Sequence, residues 1–167
     1  FNLATNALGG FGGRDLTNNN TTPFTGINIL GASSAAAALT AASSHNFSST
    51  NAFFNPGNGK SWAVGGWFAA TDWTPAATMA LVTNIPSASD RVFEIALLTD
   101  GSFIFNATNT AASWDVGIAV ANPGFVDGSW HHFVFKYEFS TTTLKAYIDG
   151  VLVGSAPIAN IRSATST

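Results

Sequence analysis

Asp127-Gly128-Ser129-Trp130-His131-His132-Phe133-Val134-Phe135-Lys136-Tyr137 is followed closely by Leu144-Lys145-Ala146-Tyr147-Ile148-Asp149-Gly150-Val151-Leu152-Val153-Gly154-Ser155. These two stretches decide the fold. In the first, a Gly turn leads into a strand: Phe133, Phe135, Tyr137 and Phe139 are set to point one way and Lys136 and Glu138 the other, because successive strand side chains alternate between faces. In the second, Asp149-Gly150 separates two apolar runs. A two-residue type I′ turn needs positive φ at both central positions, and Asp-Gly tolerates it, so a hairpin tip is predicted there. Trp130, directly after the Gly128 turn, is expected to plug one end of the core.

Working outward, Asp100-Gly101 repeats the device between Arg91–Leu98 and Ser102–Asn106. Ser61–Ala69 has apolar residues on both faces and reads as a central strand, and Thr78–Thr83 as a short one closed by Asn84-Ile85-Pro86. Phe47–Phe54 reads as a first strand or two. Before it, Gly9–Gly13 and Asn18–Pro23 are turn chemistry. Ser34–Ser44 is Ala-rich with Leu39 as its one large apolar residue; a short helix and an irregular wall of small residues both fit. Short strands, frequent turns and little helix predict an all-β, antiparallel, two-sheet β-sandwich.

Four elements in order resemble one family, the laminin-G-like, concanavalin-A-like lectin-glucanase jelly rolls. Val64-Gly65-Gly66-Trp67-Phe68 is similar to that family's early strand. Phe93–Leu97 with Asp100–Phe105 is similar to its middle hairpin, and Gly128–Val134 and Tyr147–Val151 to its closing signature. The resemblance implies one jelly-roll domain over 1–167. Residues 1–58 would be an irregular lead-in with the first strands, and 61–156 the motif-bearing strands. It also implies a glycan or protein ligand, held by rim loops or one exposed sheet face. Some relatives bind calcium through loop carboxylates, and the His pair belongs to a packing motif.

Composition narrows the function. Charged residues make up 9% of the chain and hydrophobic ones 46%, so Ser, Thr and Asn must form much of the surface, as suits an exported or virion protein or an assembly subunit. The net charge of −3 and six scattered Lys and Arg residues provide no footprint for nucleic acid or an anionic membrane. Without cysteine, disulfides and thiolate metal sites are excluded. No apolar run reaches the roughly 18 residues of a membrane span. The chain begins at Phe1 rather than Met, which reads as a processed product or a segment of a longer protein.

Candidate chemistry is sparse. A glycosidase needs two carboxylates roughly 5 to 10 Å apart. Glucanases on this scaffold carry E-x-D-x-x-E on one strand, whereas here Glu94 and Glu138 are the only glutamates and Glu94-Ile95-Ala96-Leu97-Leu98-Thr99 lacks the other acids. His131 and His132, adjacent on a strand, face opposite sides and cannot chelate one ion together. No G-x-S-x-G nucleophile turn is present. Asp100, Asp127 and Asp149 precede Gly and read as turn caps.

The expectation is therefore a non-catalytic recognition or adhesion module displayed on a phage virion or bacterial surface. The alternative is a purely structural subunit contacting neighbouring copies. For a sugar ligand the expected contacts are Trp73 with Asp72 and Trp114 with Asp115. These are loop aromatics beside a carboxylate, where a ring stacks on a pyranose and an acid orients its hydroxyls. The competing reading of each ring is a loop Trp folded over the sandwich edge.

Overall fold

A computed structural model describes residues 7–8, 16–21, 23, 37–39, 46–48, 59–85, 91–109 and 114–162. The chain divides into two compact units, Phe1–Phe54 and Asn55–Thr167.

In the first unit, β1 (Ala7–Leu8), β2 (Leu16–Asn19) and β3 (Asn46–Ser48) form an antiparallel sheet in the order β1-β2-β3. β2 ends in a turn with Asn20 and Thr21 both at positive φ. Of the expected strand over 47–54, residues 47–48 fall in β3, and 49–54 lie outside the described residues. The Gly9–Gly13 loop and most of 34–44 lie outside the described residues; Ala37–Leu39 is not helical.

The second unit contains β4 (Trp62–Ala69), β5 (Met79–Asn84), β6 (Phe93–Leu97), β7 (Phe103–Ala107), β8 (Val116–Val120), β9 (Trp130–Glu138), β10 (Thr143–Ile148) and β11 (Val151–Pro157). They pair as two four-stranded antiparallel sheets, β11-β10-β9-β4 and β5-β6-β7-β8. A 3₁₀ turn over Phe139–Thr141 joins β9 to β10. Between the sheets lies the core. Phe133, Phe135 and Tyr137 of β9 and Leu144, Ala146 and Ile148 of β10 meet Phe93, Ile95 and Leu97 of β6 and Phe103 and Phe105 of β7. Across the layers, Phe103 faces Phe133 at 5.0 Å and Phe105 faces Phe135 at 5.6 Å between ring centroids. Burying such rings is the main stabilising term of the fold.

At the Asp149-Gly150 hairpin the prediction agrees with the structure. Ile148 pairs with Val151, and φ is 51° at Asp149 and 80° at Gly150. At Asp100-Gly101 the tip differs. Leu98 pairs with Ser102, Gly101 N–H donates to the Leu98 carbonyl, and of the tip residues only Gly101 has positive φ. That is a three-residue loop with its glycine in the left-handed position. Asp100 accepts from the Ser102 N–H and hydroxyl instead of serving as a second left-handed residue.

Two further expectations are corrected, and the central placing of β4 is not met among the described residues, where it pairs only with β9. Its second apolar face is Trp67 standing among small Ala63, Gly65 and Ala69, not a second buried surface. Phe139 leaves the core face because the chain turns into the 3₁₀ segment there, and it is exposed. Trp130 lies an odd number of residues from Phe133, so period two places it on the opposite, outer face, half-buried.

Candidate ligand-binding face

The loop residues expected to meet a ligand have structural partners. Trp73 is 3% exposed and packs on Phe103, Phe125, His131 and Phe133. Its indole Nε1 donates to the Val126 carbonyl at 3.1 Å, and its backbone N–H to Asp127. The reading of Trp73 as a stacking platform is corrected: with ring and indole donor both engaged inside, no face remains for a sugar. Asp72 caps its own turn, accepting from the Thr74 N–H at 2.7 Å and the Thr74 hydroxyl. Those two bonds, the backbone one first, hold its carboxyl below the usual range.

Trp114 is half-buried, with the Arg91 guanidinium 5.4 Å from its ring centroid. Asp115 accepts from the Thr108 hydroxyl and the Asn109 N–H. The structure does not bring the two predicted pairs together. Trp73 packs on Phe103, the first residue of β7, while Trp114 precedes β8, whose first residue Val116 pairs with Ala107, the last of β7. They stand at opposite ends of the sandwich. Asn122, in the loop after β8, bonds the Asp100 carbonyl and so belongs to the Trp73 end. Among the described residues no three His, Asp or Glu side chains gather as metal ligands, since the aspartates are spent separately on their own turns.

His131 and His132 face opposite sides of β9. His131 points inward, stacked on Phe125 at 3.5 Å between ring centroids, and it links two side chains. Its Nε2 lies 2.7 Å from Ser129 Oγ and its Nδ1 2.8 Å from Asp149 Oδ2. That is the connectivity of a hydrolytic triad, but Ser129 Oγ also sits in close contact with the Val126 carbonyl. The hydroxyl has one proton for two neighbours; with Nδ1–H given to Asp149, a neutral His131 ring accepts at Nε2. The arrangement acts as a strap, tying the 126–129 turn to the β10–β11 hairpin. Asp149 also accepts the His132 N–H. Burial opposes ionisation of Asp149, but these hydrogen bonds outweigh it and hold the carboxyl below its ordinary range.

His132 points outward, onto the exposed sheet face that the resemblance offers beside the rim loops as a place for a ligand. Its ring lies 4.9 Å from that of Trp67, its cross-strand partner on β4. Trp67 is 48% exposed although it sits mid-strand. Across the sheet, the next row carries Gly65, Val134, Tyr147 and Leu152, and the row after it Ala63, Lys136, Lys145 and Ser155. His132, Val134, Lys136, Tyr147 and Gly150 line a shallow depression of about 400 Å³. A second, of about 490 Å³, runs from Ser61, Trp62 and Ala63 to Glu138 and shares Lys136. Gly65 keeps the β4 side flat: a Cβ there would lie 2.5 Å from the Phe133 carbonyl oxygen.

The polar end of this face is a charged cluster. Glu138 Oε1 is 2.6 Å from Lys136 Nζ and its Oε2 is 2.6 Å from Lys145 Nζ. Hydrogen bonds from Lys136 and then Lys145 lower the Glu138 carboxyl to about 2. Lys136 also leans over Tyr147, 5.6 Å from its centroid. The parity of β9 contained half the signal, since Trp130, His132, Val134 and Lys136 share one face by period two. Tyr147 joins it from the next strand along the chain, whereas its completion by Trp67 depends on register with distant β4, which no local pattern gives.

Comparison with curated proteins finds no match. The family model of the concanavalin A-like lectin/glucanases superfamily, of the laminin-G type, matches residues 31–167. That span covers most of the chain and the whole eight-stranded sandwich, whose topology agrees with it. The chain thus belongs to the concanavalin A-like lectin/glucanases superfamily.

Proposed function

We propose that the protein is a non-catalytic recognition module that takes a glycan or protein ligand on the outer face of the β11-β10-β9-β4 sheet. The observation that carries this reading is Trp67, a large aromatic ring left half-exposed mid-strand beside a depression lined by His132, Tyr147 and Lys136. An open sheet face ordinarily turns polar residues to water, so an unneeded Trp there is selected for contact rather than for stability. The sugar-hydrolysing branch of the superfamily is not favoured. Glu94 and Glu138 lie on different sheets, the one bonded to Asn106 and the other to two lysines.

A single shallow site binds weakly, and many linked copies raise the apparent affinity without new contacts. Display in many copies on a phage virion, as a tail or capsid-decoration protein, or on a bacterial surface fits that need and the Ser/Thr/Asn-rich, weakly charged composition. One observation favours the structural alternative: Val126 is 74% and Val151 65% exposed. The Ser129–His131–Asp149 strap brings their two segments to the same end, as an apolar contact between neighbouring copies would require.

Glycan-array and surface-protein binding by the wild-type chain and Trp67→Ala tests the proposal. Ligand capture by wild type that falls at least about fivefold in a folded Trp67→Ala variant is expected, the range for loss of one stacked ring. Equal capture by both, or none by either, overturns it and leaves the structural subunit.

A further inference from the structure

Resting on the reading of this face as a ligand site, we infer that its ligand is an acidic polysaccharide, a pyranose polymer bearing carboxylates. Three observations converge on that chemistry. The aromatic part is small and flat: Trp67 and His132 rise beside Ala63, Gly65 and Ala69, which leave one face of the strand open. Such a surface matches the C–H face of a sugar ring, whose hydroxyls project sideways. The depressions, about 400 and 490 Å³, suit a few rings lying in line.

The charge supplies the second half. Only 15 residues, six basic and nine acidic, are charged in the whole chain, and two of its three lysines stand here with one of its two glutamates. Glu138 spends one oxygen on each lysine. An ammonium has three N–H donors, so Lys145 retains two and Lys136, which also meets Tyr147, retains one, and the cluster carries one surplus positive charge. It is rich in donors and has its one acid satisfied, which is what a ligand made of acceptors requires. Asp149, at the hairpin tip of β10, has its oxygens turned to His131 Nδ1 and the His132 N–H.

Spacing agrees. His132 and Lys136 are four residues apart, about 13 Å at roughly 3.3 Å per strand residue. Lys136 leans back over Tyr147, which lies in the row between them. A ring stacked on Trp67 thus places the substituents of the next ring within reach of the ammonium. Lys145, one strand further on, meets a carboxylate at the same level.

The test is calorimetric titration of the full chain with a polyuronate oligosaccharide and with the same oligosaccharide after its carboxyls are reduced to alcohols. Wild type is expected to prefer the uronate and to lose the preference as salt rises. Lys145→Gln should weaken uronate binding about fivefold and leave the reduced polymer unchanged, the scale of one exposed charge contact. Trp67→Ala should weaken both. Equal affinity for the two polymers, or a preference that Lys145→Gln does not alter, overturns the acidic assignment while the recognition face stands. Binding of neither polymer, with a different array ligand still lost in Trp67→Ala, overturns it equally. Failure of every ligand overturns the proposed function as well.

Discussion

Trp73 is held by four rings and by an indole hydrogen bond to Val126, so truncating it removes packing and a hydrogen bond together. Trp73→Ala is expected to cost about 3–5 kcal/mol, the range for deleting a fully packed aromatic. Trp130→Ala, on the half-buried outer face, is expected to cost clearly less. Urea denaturation midpoints of the two variants check the order, and a Trp130→Ala loss as large as that of Trp73 would place Trp130 back in the core. Local context misleads at both residues. Ala70-Thr71-Asp72-Trp73-Thr74-Pro75 has the polar composition of a surface loop, yet the loop folds inward because Val126, Asp127 and Phe125, more than fifty residues away, provide its pocket. Trp130 follows a turn, as an end plug would, but strand parity overrides position.

Among the elements, the β9–β10 pair carries the charged cluster and sets its pH response. The folded-state carboxyl of Glu138 is depressed from its ordinary 4.5 to about 2 by Lys136 and Lys145. A depressed carboxyl contributes stability that is fully present above about 4.5 and is lost as pH falls towards 2. The partners remain partly exposed, so the contribution is screened by water and salt. Wild type should therefore lose stability over that window more steeply than Glu138→Gln, with the difference smaller at high salt. Thermal melting from pH 6 to pH 2 measures it, and parallel profiles would show that the pairs contribute nothing. The hairpin tips show how much of an element is locally encoded. Asp149-Gly150 forms the two-residue turn its chemistry predicts, whereas Asp100 is drawn to the Ser102 N–H and hydroxyl, and the loop lengthens by one residue.

At the scale of the eight-stranded unit, β9 and β10 in one sheet and β6 and β7 in the other are flanked on both sides, while β4, β5, β8 and β11 are edges among the described residues. Hydrogen exchange should be slowest in the four flanked strands, which also carry most of the fully buried side chains. Protection of the β4 amides equal to that of β9 would show a partner strand on its other side. Gly154 of β11 leaves room for Ile118 of β8, since a Cβ there would lie 2.3 Å from an Ile118 side-chain carbon.

The all-β class, the antiparallel hairpins and the buried row Phe133, Phe135 and Tyr137 follow from the sequence by itself, because alternation and turn chemistry act between residues a few positions apart. So does the placement of His131 and His132 on opposite faces. The tertiary structure is needed to place Trp73 inside, to leave β4 paired with β9 alone among the described residues, and to stand Trp67 beside His132. Those outcomes depend on strand register and loop closure between segments some fifty to seventy-five residues apart. There the free energy comes from packing partners that no short window of sequence contains, so the candidate face becomes visible only once the sheet is assembled.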